Sequence, residues 1–166
     1  MLTPNSHMNP LYCTEEKNSV KNYLDSSGWI MEHNKTRELE SLICEYTGAR
    51  YAHMVPSAPM GLLLCSMIAN INNREIFDCP AYTQAATANG AILLGGVPRF
   101  VDVDPNSYTI NFSQIKSRVV FVTSINGRTP PNYYKEIKKL KDKGHFDIED
   151  AAQSLGSWHK DKHIGT

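Results

Sequence analysis

Between residues 51 and 149, short apolar segments typical of β-strands alternate with longer segments that have the periodicity of α-helices. The pattern predicts strands at 51–55, 75–79, 99–103, 118–124 and 145–149, and helices at 58–71, 82–94 and 131–143. The segment 118–124, RVVFVTS, is apolar on both faces, as expected for a central strand of a parallel sheet. Strands that alternate with helices of this length predict an α/β domain with a mostly parallel sheet.

Two further helices are predicted ahead of this region. Thr14 is followed by two glutamates, and a hydroxyl cap with acidic residues in the first turn is a favourable helix start. From Leu39 onward, apolar residues recur at the i, i+3, i+4 and i+7 positions. This periodicity predicts a second helix over 35–47, with Gly48 as its C-terminal stop.

The charge balance excludes one class of partner. The 166-residue chain has 17 Lys+Arg and 17 Asp+Glu, so its formal net charge is zero. A nucleic-acid-binding protein needs a basic surplus or a concentrated basic stripe. The dense basic run at 135–143 contains Glu136 and Asp142 at helical spacing, which is typical of a solvated helix face. We therefore expect no nucleic-acid partner.

The sequence also indicates in which cellular compartment the protein resides. It has no apolar run long enough to span a membrane, and its N-terminus, MLTPNSHMNPLYC, lacks the build of a signal peptide. Four widely spaced cysteines (Cys13, Cys44, Cys65 and Cys79) form no CxxC pair, which favours reduced thiols over a disulfide framework. We expect a cytoplasmic protein without membrane association.

Parallel α/β sheets bind ligands at the carboxyl ends of their strands. The residues that follow the predicted strands are therefore the candidates for a site: Ser57, 80–83, 124–127 and 150–153. This reasoning gives the location of a site but does not identify the ligand.

Three segments at these positions carry a specific combination of motifs: SAPMGL at 57–62, CPAYTQAATANGAILLGGVPRFVDVDPNSYTI at 79–110 and IEDAAQSLGS at 148–157. In this order and spacing they resemble the DegT/DnrJ/EryC1/StrS family of pyridoxal-phosphate (PLP) aminotransferases, which act mainly on nucleotide-linked keto-sugars. The resemblance extends over residues 27–166.

The resemblance implies the large domain of the fold-type-I PLP-dependent transferases, a three-layer structure with a mostly parallel sheet flanked by helices. Residues 1–33 would then form an N-terminal arm and helix, and residues 34–166 part of the PLP-binding large domain. The small C-terminal domain of the family lies outside this sequence. A homodimer is also implied, because the family builds its active sites at a dimer interface.

Two residues match family positions that contact the cofactor ring. Asp150 matches the aspartate that keeps the pyridine nitrogen of PLP protonated. Gln153 matches the residue that reaches the phenolic oxygen of the ring. For Asp150, the residues alone leave a structural alternative, an N-cap of a short helix at 151–155.

Three positions, Pro59, Gln84 and Ser124, depart from the family pattern. The first lies in the segment Ser57, Ala58 and Pro59, which matches the loop that holds the PLP phosphate, at a helix start where backbone N–H groups bind anions. Pro59 replaces a threonine, so that one N–H and one hydroxyl are lost. Gln84 stands where the family has an aromatic residue that stacks on the ring, and Ser124 stands where it has histidine.

The matches imply an enzyme that moves an amino group from an amino acid to a nucleotide-linked keto-sugar. The amino-acid donor in this family is commonly glutamate. The lysine that binds PLP covalently in the family lies downstream of Thr166, and neither Lys160 nor Lys162 matches it. The chain alone is therefore not expected to transaminate. The three departures give an alternative hypothesis, a catalytically degenerate homologue that acts as a binding or scaffold subunit.

His159 and His163 have a spacing that is compatible with a metal pair on a helix. The charged residues between them, Lys160, Asp161 and Lys162, instead favour the tip of a hairpin. A solvated loop is the preferred interpretation, and we expect no metal.

Overall fold

The computed structural model describes residues 12–26 and 34–166. The chain divides into two compact units, residues 1–39 and 40–166. Of the N-terminal arm and helix predicted over residues 1–33, residues 1–11 and 27–33 lie outside the described residues. The domain boundary expected after residue 33 stays a prediction.

The described part of the first unit contains α1 (Thr14–Asp25) and the beginning of α2 (Asn34–Thr47). The residue before α1 is Cys13, whose backbone N–H donates to Glu16 Oε2 at 2.8 Å. Thr14 is therefore the first helical residue, and its predicted role as the cap is wrong, because Glu16 satisfies the backbone at the helix start instead.

The second unit begins within α2 and contains the remaining elements: α3 (Ala58–Ile68), β1 (Ile76–Pro80), α4 (Ala85–Leu93), β2 (Val97–Val101), β3 (Val119–Thr123), α5 (Tyr133–Asp142), β4 (Phe146–Asp150), β5 (Trp158–His159) and β6 (Lys162–His163). In the described residues, β1 to β4 form a parallel sheet in the order β2-β1-β3-β4. The predicted α/β class is confirmed. None of the helices in this described part has the length and apolar character needed to cross a membrane.

The central strand β3 explains how the layers are held together. All of its residues are buried, as predicted from its two apolar faces. Alternate residues of a strand face opposite sides of the sheet. Val119 and Phe121 pack into an apolar cluster with α3 and α4, whereas Val120 and Val122 pack into a second cluster with α5. Helices therefore cover both faces of the sheet, which gives the expected three layers.

One predicted strand is absent from the structure. Residues 51–55 have no strand conformation and pair with neither edge of the sheet, β2 or β4. A strand is stable only where its backbone groups find partners, and here the N–H of Met54 donates to Glu40 Oε1 at 2.8 Å instead. The prediction at 51–55 is wrong for this reason, while the other four strands lie close to their predicted positions.

A short antiparallel hairpin, β5 and β6, follows the sheet. Both ring nitrogens of His163 are hydrogen-bonded. Its Nε2 accepts from the N–H of Gly156 at 2.8 Å, and its Nδ1 lies 2.6 Å from the carbonyl oxygen of Ile164. The predicted hairpin is confirmed, and His163 has no ring nitrogen free for a metal.

Candidate functional site

A cavity of about 220 Å³ lies where the carboxyl ends of β3 and β4 meet the first turns of α3 and α4. Its lining consists of Ala58, Pro59, Leu62, Thr83, Gln84, Ala86, Thr123, Ser124, Ile125, Asp150, Ala152 and Gln153. This is the edge of the sheet at which the sequence predicts a site. Five of the six residues singled out as cofactor contacts line it. The sixth, Ser57, directly precedes α3 and is exposed outside the lining.

Asp150 is the last residue of β4, and only 9% of its surface is exposed. Its Oδ2 accepts a hydrogen bond from Thr87 Oγ1 at 2.7 Å. Its Oδ1 accepts only a long bond, 3.3 Å, from the N–H of Ala152, so this oxygen can still accept from a ligand. No helix follows Asp150 in the described residues. The alternative role as a helix cap is therefore wrong.

The hydroxyls of three threonines form a chain of contacts that starts at this carboxylate. Thr87 Oγ1 lies 2.8 Å from Thr83 Oγ1, and Thr83 Oγ1 lies 3.1 Å from Thr123 Oγ1. Sequence reasoning included Thr83 among the candidate site positions but gave none of the three threonines a role. The helix predicted from residue 82 would put Thr83 and Thr87 at i, i+4 on one face, but α4 begins at Ala85, so this spacing gives no reliable signal.

The turn after β3 holds the side chain of Gln153. Asn126 and Gly127 have φ values of 53° and 68°, in the left-handed region. The positive φ of Gly127 is a conformation that residues with a side chain rarely adopt, which favours glycine at this position. The turn presents the N–H of Asn126 to Gln153 Oε1 at 2.8 Å. Because the oxygen of this amide is already bonded, its NH₂ group remains as a donor.

The first turn of α3 has few free donors. The carbonyl oxygen of Ser57 accepts from the N–H groups of Met60 and Gly61, each at 3.1 Å. Pro59 has no N–H. Among the helical residues of this turn that the structure describes, Ala58 retains the free N–H.

Gln84 is the residue before α4, and its side chain makes no capping hydrogen bond. It is exposed and lines the cavity. The helix predicted from residue 82 begins later, at Ala85. The reason is that the N–H of Ala81 donates to the carbonyl oxygen of Val101 at 2.8 Å, which extends the strand pairing beyond β1.

Cys79 lies on β1 near the same carboxylate. Burial, together with the nearby charges of Asp150 and Asp78, raises the pKa of the Cys79 thiol to about 12. The thiolate is the reactive form of cysteine, so Cys79 is not a nucleophile at neutral pH. All four cysteines are free thiols, as expected.

Comparison with known proteins identifies relatives. The sequence profile of the DegT/DnrJ/EryC1/StrS aminotransferase family matches residues 12–166. An uncharacterized protein of Methanocaldococcus jannaschii, MJ1066, is 34% identical over 162 residues, which make up 95% of this chain and 42% of that protein.

Solved structures share the fold. A DegT DnrJ EryC1 StrS aminotransferase from Brucella abortus is 27% identical, with a TM-score of 0.76 over 84% of this chain and 40% of that one. GDP-4-keto-6-deoxymannose-3-dehydratase, crystallised with a trapped PLP–glutamate geminal diamine, is 21% identical, with a TM-score of 0.84 over 93% and 43% of the two chains. This chain therefore spans about two fifths of the length of each relative. The similarity confirms the three-layer fold that the sequence motifs imply.

Proposed function

The chain belongs to the DegT/DnrJ/EryC1/StrS aminotransferase family, and we propose on this basis that it supplies the PLP-binding part of an aminotransferase. The proposed reaction moves an amino group from an amino acid, with glutamate as the donor, to a keto-sugar linked to a nucleotide. The observation that carries the proposal is the Asp150 carboxylate in the wall of a small, mostly apolar cavity.

The cavity suits one aromatic ring with one acidic partner. Its volume, about 220 Å³, lies below the roughly 300–1,000 Å³ of pockets that hold drug-sized ligands. Asp150 is the only acidic residue among the described residues of the lining. When bound, PLP supplies an electron sink, which depends on a carboxylate beside the protonated ring nitrogen. Asp150 Oδ1, which has only a long hydrogen bond, is the atom that would hold this proton.

Gln153 would orient the ring from the side of its phenolic oxygen. Its Oε1 is committed to the N–H of Asn126, so the side chain meets a ligand with its NH₂ group. An NH₂ group donates and cannot accept, which suits an anionic oxygen. The glycine-dependent turn at Asn126 and Gly127 thereby fixes which end of the amide faces the ligand.

The phosphate of PLP would lie at the first turn of α3, near Ser57, Ala58 and Pro59. Backbone N–H groups and the helix dipole favour an anion there. The free N–H of Ala58 is available for it, but Pro59 contributes none. We therefore propose a phosphate site with fewer donors than one that carries threonine at position 59. Gln84 would cover one face of the ring without aromatic stacking.

The substrate and assembly proposals rest on the relatives. A GDP-sugar enzyme that was trapped with glutamate has the same fold, which supports a nucleotide-linked sugar and an amino-acid donor. We further propose a cytoplasmic homodimer. Exposed apolar side chains on α3, such as Met67 at 56% and Ile68 at 74%, are consistent with a surface that a second subunit or a further domain covers.

Titration with PLP, followed by the absorbance of the cofactor, tests the proposed role of Asp150. We expect Asp150→Asn to weaken PLP binding about tenfold or more, because a hydrogen bond between charged groups is lost. Asp147→Asn is the matched control, since Asp147 lies on the same strand outside the cavity lining and contacts Lys141. Equal affinity of the parent and Asp150→Asn would contradict the proposed function.

The second candidate function is a catalytically degenerate subunit that binds partners without PLP. The scarcity of donors at the first turn of α3 favours it, together with Gln84 and Ser124 in the cavity lining. The same titration separates the two functions. A parent chain that shows no saturable PLP binding supports the degenerate subunit and contradicts the enzyme.

A further inference from the structure

The carboxylate of Asp150 is held by groups that the cofactor itself would not touch. Thr87 Oγ1 donates to Asp150 Oδ2 at 2.7 Å, and Thr83 Oγ1 lies 2.8 Å from Thr87 Oγ1. Thr87 is fully buried and does not line the cavity. The contact is therefore shielded from competing water.

We propose that Thr87 is a positioning residue that fixes the Asp150 carboxylate so that Oδ1, and not Oδ2, meets the ring nitrogen of PLP. This inference rests on the proposed function. An ionised carboxylate can only accept, so the hydroxyl of Thr87 must donate its single proton to Oδ2. Oδ2 is then occupied inside the protein, while Oδ1 has only the long bond from Ala152.

Thr83 holds Thr87 in turn. Because the hydroxyl proton of Thr87 is used in the hydrogen bond to Asp150, the hydroxyl of Thr83 must be the donor in the contact between the two threonines. Thr83 Oγ1 also lies 3.1 Å from Thr123 Oγ1. The hydroxyls thus connect the end of β3, the loop before α4 and the first turn of α4 to the end of β4. Gln84 follows Thr83 directly, so the same chain of contacts fixes the residue proposed to cover the ring.

The hydroxyl of Thr87, rather than its volume, is the group that matters. Thr87→Val keeps the shape but leaves Asp150 Oδ2 without its buried donor, whereas Thr87→Ser keeps the donor. We expect Thr87→Val to weaken PLP binding about tenfold, because a carboxylate that is no longer held in place makes a poorer hydrogen bond to the charged ring nitrogen, and about 1.4 kcal/mol of that bond corresponds to tenfold in Kd. We expect Thr87→Ser to remain within about threefold of the parent, since the charged hydrogen bond is retained.

Thr109→Val is the matched control. Thr109 is 1% exposed, and its Oγ1 finds no hydrogen-bond partner among residues 12–26 and 34–166. The substitution therefore removes a buried hydroxyl of the same residue type outside the Asp150 network. PLP affinity should be unchanged.

A double-mutant cycle on PLP affinity distinguishes positioning from a general structural role. If Thr87 acts through Asp150, adding Thr87→Val to Asp150→Asn should change the Kd by no more than about twofold, because the group that it positions is already gone. Independent losses would instead multiply. Thermal unfolding of each variant, measured without PLP, checks that the chains being compared remain folded.

The outcomes separate this inference from the proposed function. If Asp150→Asn weakens binding and Thr87→Val does not, or if the two losses multiply, the positioning role is wrong while the proposed function stands. If Asp150→Asn binds PLP like the parent, or the parent binds none, both are wrong. Rescue by serine together with a non-additive cycle supports the positioning role.

Discussion

Replacing Pro59 by threonine should strengthen the phosphate end of the proposed site. The first turn of α3 now retains the free N–H of Ala58, because the N–H groups of Met60 and Gly61 both donate to Ser57. Pro59 lines the cavity but offers no donor. Threonine at this position restores one backbone N–H and adds one hydroxyl.

The size of the effect follows from these two donors. A hydrogen bond to a charged group contributes about 1.5–3 kcal/mol, and 1.4 kcal/mol corresponds to about tenfold in Kd. One engaged donor therefore gives about a tenfold gain in PLP affinity. The loss of the rigid proline at the helix start costs about 0.4–1 kcal/mol of folding stability. The variant should thus bind PLP more tightly while unfolding slightly more easily.

The assay compares PLP with pyridoxal, which has the same ring but no phosphate. Pro59→Thr should lower the Kd for PLP and leave the Kd for pyridoxal unchanged. Pro131→Thr serves as the control, because Pro131 precedes α5 and lies outside this cavity. An equal gain for both ligands, or no gain for PLP, would refute the assignment of the α3 turn to the phosphate.

Three further predictions concern the fold and the covalent chemistry. Gly90→Ala should lower the midpoint of urea unfolding, because a Cβ there would lie 2.8 Å from the backbone of Leu63. Overpacking costs about 1–3 kcal/mol, which exceeds the roughly 1 kcal/mol that alanine gains in helix propensity. A raised midpoint would contradict this close contact. Burial acts to raise the pKa of Asp78, but hydrogen bonds from Arg99, Ser117 and the backbone lower it overall. Asp78 therefore stabilises the fold above its unfolded pKa, near 3.8, and this contribution is lost as the pH falls through its lower folded pKa. Asp78→Asn should flatten the acid dependence of unfolding, and an unchanged pH profile would count against it. Borohydride reduction of the chain with PLP should label no lysine stoichiometrically, since no lysine lines the cavity among the described residues; mass spectrometry that finds one fully labelled lysine would overturn this.

The sheet could be predicted because its signals are local. The strand β3 is apolar on both faces and is the central, fully buried strand. The same local reasoning failed at residues 51–55, since a strand needs a partner and the sequence of the strand itself does not show whether one is adjacent. The prediction of Thr14 as the cap was wrong for a related reason. The residue before the helix is Cys13, and its backbone N–H donates to the side chain of Glu16.

For the site, too, some features could be predicted from the sequence and others could not. Motif matches singled out Asp150, Gln153, Pro59 and Gln84, and the structure brings these residues to one cavity; their roles toward a cofactor stay predictions. Their hydrogen-bond partners were not predicted, because Thr87 and Asp150 are 63 residues apart in the sequence and meet only in the folded structure. The orientation of the Gln153 amide likewise depends on the N–H of Asn126, which the turn after β3 presents.

A crystal structure of this chain with PLP tests the central claim most directly. We predict the cofactor ring in the cavity at the ends of β3 and β4, with its nitrogen at Asp150 Oδ1 and its phosphate at the first turn of α3. PLP found instead in the cleft lined by Lys135, Lys160 and Lys162, or a cavity without PLP at saturating concentration, would contradict the proposed function.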